Sequence, residues 1–161
     1  MELTDGKMLG FGCMRMPFRN GDQTDIDYGK LDALVDAFLD AGYTYFDTAY
    51  TYHGYHAEAI VRKALVQRHP RESFQLATKL PLRDFSDAAD MRRIFVEQLD
   101  HCGVDHFDCY LLHNMGSNVF RKCEDNDAFG FFDELKAQGK ATFVGMSSHD
   151  TPELLERILQ S

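Results

Sequence analysis

A chain of 161 residues has the length of one ordinary domain and can bury a sizeable core. Its 44% hydrophobic and 27% charged residues are those of a globular protein, and no apolar run approaches the roughly 18 residues of a membrane span. With 26 acidic against 17 basic residues the formal net charge is −9, which argues against a nucleic-acid partner, since such a partner needs a basic face. The start, Met1 to Gly6, has neither the basic end nor the apolar stretch of a signal peptide, so the expected location is cytoplasmic.

Taken in chain order, the sequence alternates strand and helix signals. Asp5-Gly6 is a hairpin-turn signal, so a small ribbon is expected at the N-terminus. Met8 to Met14 reads as a first strand, its glycines marking close approach of backbone. Thr24 is expected to cap a helix showing Leu31, Val35 and Phe38 on one face, which Gly42 stops. Tyr43 to Phe46 reads as a second strand, and Glu58 to Val66 as a helix closed by Pro70. Phe74 to Thr78 is a third strand. Ser86 is expected to cap a helix carrying Met91, Ile94, Phe95 and Leu99, with Gly103 at its end.

Phe107 to Leu112 is a fourth strand, Asp127 to Gln138 a helix, and Ala141 to Gly145 a fifth strand. Thr151 then caps a last helix with Pro152 at its first position, where proline is favoured. Of the four cysteines, Cys102 and Cys109 read as small buried residues and Cys123 as a loop residue; Cys13, at a strand end, could touch a ligand. None forms a C-x-x-C pair, and a reducing compartment fits.

Strand centres recur about every 33 residues, the rhythm of successive β/α units in a parallel sheet. Five such units account for most of the chain, whereas a closed barrel of eight needs roughly 250 residues. Ligands of parallel α/β folds bind at the carboxyl ends of the strands. There the sequence delivers Gly12, Cys13 and Met14, then Asp47, Lys79, His113, and finally Ser147, Ser148 and His149. Asp47 and Lys79 can pair across adjacent strands, Tyr52 adds a phenol, and a neighbouring cation stabilises a phenolate. His113 can donate a hydrogen bond to a substrate oxygen. Such a set suits polarising and protonating a carbonyl oxygen, given a separate hydride source.

Several stretches together resemble the aldo-keto reductases: Asp47-Thr48-Ala49-x-x-Tyr52 with Glu58 downstream, Ala77-Thr78-Lys79, Leu111-Leu112-His113, and Gly139-Lys140 followed by Gly145-x-Ser147. The resemblance spans Leu9 to Leu159. It implies an α/β fold, a partial TIM (β/α)₈ barrel in which residues 1–161 form a single domain truncated before the barrel closes. It also implies an NADP-dependent oxidoreductase transferring hydride from NADPH to an aldehyde or ketone. By resemblance Tyr52 is the general acid, Lys79 and Asp47 tune it, and His113 orients the carbonyl. NADPH would lie extended over the barrel mouth, without a Gly-x-Gly-x-x-Gly loop, near Gly12, Cys13, Met14, Asp47, Ser147 and Ser148, and no metal is implied.

The stretches Leu9 to Arg15, Tyr52-His53-Gly54, Leu112-His113-Asn114 and Ser148-His149-Asp150 are similar to the branch with a C-terminal ferredoxin-like iron–sulfur extension, whose cluster cysteines would lie beyond Ser161. Two departures stand out. Ser147-Ser148 replaces the Ser-Asn of many relatives, and the strands that carry the family's nicotinamide-stacking aromatic and phosphate-gripping basic residues are missing. The chain alone is therefore expected to be weakly active or inactive towards a small-molecule carbonyl substrate, with no nucleic-acid or membrane partner. One alternative is a non-catalytic half-barrel that binds a partner or self-associates through open sheet edges. Another is a metal-dependent hydrolase using His113, Asp47 and His149, which lack metal-ligand spacing.

Overall fold

Residues 9–160 are described by the computed structural model. The ribbon expected at Asp5-Gly6 and the Met8 start of the first strand lie outside the described residues. In chain order the elements are β1 (Gly10–Gly12), β2 (Phe18–Arg19), β3 (Asp22–Ile26), α1 (Tyr28–Asp40), β4 (Tyr45–Asp47), α2 (Ala57–Val61), β5 (Gln75–Pro81) and α3 (Ala88–Cys102). They continue with β6 (Phe107–Met115), α4 (Ser117–Asp125), α5 (Ala128–Ala137), β7 (Ala141–Ser148) and α6 (Pro152–Leu159). Five strands form one parallel sheet in the order β1-β4-β5-β6-β7, so each crossover returns the chain to the next position. Across it Gly12, Asp47, Ala77, Cys109 and Phe143 share one row.

Because side chains alternate along a strand, the sheet has two different faces. On one, Leu76, Thr78, Leu80 and Tyr110 are fully buried beneath the crossover helices. There Tyr110 meets the rings of Phe95 and Phe132, each at 5.0 Å between centroids. On the other lie Asp47, Lys79 and His113, the set that the strand-end reading collected.

The structure corrects several local expectations. Thr24 does not cap α1; it sits in β3, and the Asp27 carboxylate accepts from the Lys30 amide instead. The segment before α1 is a hairpin turning at Asn20-Gly21, where φ is 53° and 74°. Positive φ at both central residues is what a type I′ turn requires, and Asn-Gly is its common signature. Asp87, not Ser86, caps α3. The helix expected from Glu58 is α-helical only to Val61 and then widens into a π-helical turn over Arg62–Val66. Cys123 is not in a loop: it is fully buried on α4, a helix whose apolar positions the surrounding charges obscured. The strands β5, β6 and β7 run longer than their apolar cores, so Lys79 and His113 stand within strands. Gly103 ends α3 with φ 69°, and Thr151 caps α6 ahead of Pro152, as read from the sequence. No helix among the described residues is long and apolar enough to cross a membrane.

Candidate active site

Adjacent strands β4 and β5 bring Asp47 and Lys79 to the same face near their carboxyl ends. The Lys79 ammonium donates to Asp47 Oδ1 at 2.5 Å and to the Thr48 carbonyl at 2.8 Å. It also lies 3.4 Å from the Tyr52 hydroxyl. Lys79 is buried, so this ion pair is poorly screened and its geometry is fixed by three oxygens. His113, from β6, meets the Tyr52 ring edge-on at 5.5 Å. Burial and the nearby Lys79 charge hold the His113 imidazole below its usual pKa, which favours the neutral ring.

Tyr52 is held from behind. The next three residues, His53, Gly54 and Tyr55, all have positive φ, at 49°, 61° and 72°. Two of them are not glycine, so the turn stores roughly 1–2 kcal/mol at each. Side-chain contacts offset it. His53 is buried, its Nε2 accepting from the Met16 amide at 3.2 Å and its Nδ1 donating to the Gln23 carbonyl at 2.8 Å. That tautomer ties the Tyr52 loop to both sides of the β2–β3 hairpin. Tyr55 packs edge-on against Tyr50, with ring centroids 5.6 Å apart.

Beneath β5 lies a second polar cluster that sequence reasoning did not assemble. Glu58 Oε1 accepts from the Thr78 hydroxyl at 2.6 Å and from the Gln98 amide at 2.7 Å. The same amide donates to the Lys79 carbonyl at 3.1 Å, and Tyr110 donates to the Gln98 side-chain oxygen at 2.7 Å. Glu58, Thr78 and Gln98 are all buried, so each must be satisfied internally. The cluster clamps the backbone that carries Lys79.

The residues expected beside a cofactor divide. Gly12 faces open space and Met14 is 58% exposed, bordering the Tyr52 loop. Cys13 is buried, and burial together with Asp47 pushes its thiol up to about 12 despite Lys79, so it is neither nucleophile nor exposed ligand. Ser147 Oγ accepts from the Asn114 amide at 2.8 Å, leaving its own proton to donate. Ser148 spends its proton on the Met115 carbonyl at 2.7 Å. Among the described residues no three His, Cys, Asp or Glu side chains group to hold a metal, so His113, Asp47 and His149 form no such set.

Known proteins resemble the chain along its length. The sequence model of the Aldo/keto reductase family matches residues 8–161. An aldo-keto reductase of Mycolicibacterium smegmatis is 32% identical over 167 residues, covering 99% of this chain and 53% of that protein. A holo-form aldo-keto reductase from Bacillus halodurans superposes with a TM-score of 0.74 at 28% identity, covering 94% of this chain and 49% of the other. An aldo-keto reductase from Klebsiella pneumoniae in complex with NADPH gives 0.66 at 27% identity, covering 88% and 45%. The chain spans about half the length of the curated relatives it matches.

Proposed function

This chain belongs to the aldo/keto reductase family, and we propose that it forms the proton-donating part of a reductase acting on aldehydes or ketones with NADPH. The observation that carries the proposal is the Lys79 ammonium between Asp47 and the Tyr52 hydroxyl, 2.5 Å from one and 3.4 Å from the other. In this reading Tyr52 donates its proton to the carbonyl oxygen as negative charge develops there. Lys79 stabilises the phenolate left behind, and the contact with Asp47 holds Lys79 in place. His113, held neutral, donates an N–H to the same oxygen and fixes its direction.

The exposed surface at Gly12 and Met14 and the spare proton on Ser147 suit the nicotinamide end of the cofactor, whereas the Ser148 proton is committed to backbone. When bound, NADPH supplies the hydride. We further read residues 1–161 as one domain, part of a parallel β/α barrel, and the four buried free cysteines fit the cytoplasm.

The test is Tyr52→Phe in a protein completed with the further β/α units of its relatives. Removing one hydroxyl leaves the fold and NADPH affinity in place and lowers turnover about 10²–10⁴-fold. Near-normal NADPH oxidation in that variant would show that another group donates the proton.

A further inference from the structure

Resting on the carbonyl-reduction reading, we propose that the substrate of this site carries an anionic oxygen group, a carboxylate in the simplest case, recognised by Arg15 and Arg83. The pattern begins with the arginines that are already engaged. Arg19 pairs with Asp27, Arg68 with Asp36, Arg71 with Asp108, Arg92 with Glu134, Arg93 with Asp90 and Glu97, and Arg121 with Asp125. Arg62 donates to the Asp100 carbonyl, and Arg157 lies over the Phe120 ring. Arg15 and Arg83 have no such partner among the described residues, in a chain with a net charge of −9 and carboxylates to spare.

Both of these arginines border the candidate site. Arg15 ends the 3₁₀ turn Cys13–Arg15 after β1 and Arg83 lies in the turn after β5, so both stand at the carboxyl end of the sheet. Arg15 lines a cavity of about 520 Å³ with Tyr52 and His149, and Arg83 one of about 300 Å³. The two cavities share Thr51, His113 and Asn114, which makes them neighbouring parts of one cleft around the candidate proton donor. No carboxylate lines the first. Asp84 is the acid in the second, and it is hydrogen-bonded by the Tyr55 hydroxyl.

The backbone that carries Arg15 is anchored on both sides. Cys13 and Met16 on either side are buried, and the Met16 amide is held by His53. A guanidinium offers a planar fork matched to a carboxylate, so one carried on an anchored backbone and left without a protein partner has both its N–H edges available for a bidentate contact. A phosphate offers the same oxygens, so the cofactor's phosphates are the alternative source of the anion.

Calorimetric titration of the chain with 4-carboxybenzaldehyde and with its uncharged methyl ester separates the outcomes. The acid is expected to bind about tenfold more tightly than the ester, the scale of a charge-assisted contact. Arg15→Gln and Arg83→Gln should each reduce that preference, the double variant should abolish it, and affinity for the ester should not change. Equal binding of acid and ester by the unaltered chain overturns the proposal and leaves carbonyl reduction standing. So does a preference that survives the double variant. If instead the variants weaken NADPH or inorganic phosphate while the preference persists, the arginines grip the cofactor and the proposal fails. Binding of neither aldehyde overturns it together with the carbonyl-site reading.

Discussion

His113 stands between two opposing influences. Burial and Lys79 disfavour its protonated form, while Asp47 favours it, and the first pair prevails. Its imidazole NMR signals are therefore expected to titrate below the ordinary value of 6.5. Lys79→Met removes one lowering cause and leaves Asp47, so the midpoint should move up; an unchanged midpoint would mean that Lys79 does not act on His113. Asp47, Tyr52, Lys79 and His113 could be gathered from the sequence because parallel topology sends successive strand ends to one place. The clamp behind them could not. Glu58 meets Thr78 across 20 residues and Gln98 across 40, and nothing in local spacing says that a buried glutamate will find a glutamine on a different helix. Arg15 and Arg83 were invisible for a related reason, since a missing ion pair is a property of the folded surroundings.

At the scale of elements, caps and turns show where sequence logic is ambiguous. Ser86 and Asp87 are both good cap residues, and only the helix axis chooses between them. Thr24 looked like a cap because the apolar helical period follows it, although Asn20-Gly21 upstream already signals a hairpin that consumes Thr24. The helix α3 also carries a pH-dependent link to α2. His101, in its last turn, contacts Glu58 Oε2 at 3.2 Å and stacks on Tyr50 at 5.9 Å. The hydrogen bond to Glu58 is the largest cause raising the His101 pKa above 6.5. A raised folded-state pKa means stabilisation fully present below about pH 6.5 and lost as pH climbs through the folded value. Thermal midpoints should fall from pH 6 to pH 9, and His101→Phe, which keeps the stacking, should flatten that dependence. An equal slope in both proteins would place the titrating group elsewhere. His101 is 37% exposed, so the effect is a shift of a few degrees and not a collapse.

For the whole molecule the decisive feature is a sheet with two edges. Within the described residues β1 and β7 each have one strand neighbour, and β7 is eight residues long. Beside β7 an apolar cavity of about 370 Å³ runs between α5 and α6, lined by Phe129, Phe132, Val144, Met146 and Ile158. Leu159 at its margin is 79% exposed. Leu111, on the site face, and Val144, on the helix-covered face of the edge strand, are only half-buried, whereas Leu76, on the covered face of an inner strand, is fully buried. Exposed apolar surface of a few hundred Å² costs several kcal/mol at about 25 cal/mol per Å². That is a large part of the roughly 5–15 kcal/mol that stabilises a typical domain. Pairing β7 with a second edge would satisfy its backbone groups and cover the groove together. The purified 161-residue chain is therefore expected to form dimers or larger species in light scattering, and Met146→Lys, placing a charge in that groove, should shift it towards monomer. NADPH should bind it weakly in a fluorescence titration, since among the described residues only Arg15 and Arg83 line the cleft around Tyr52 as arginines. A monodisperse monomer that binds NADPH at micromolar concentration would show that five β/α units close their own core and hold the cofactor without help.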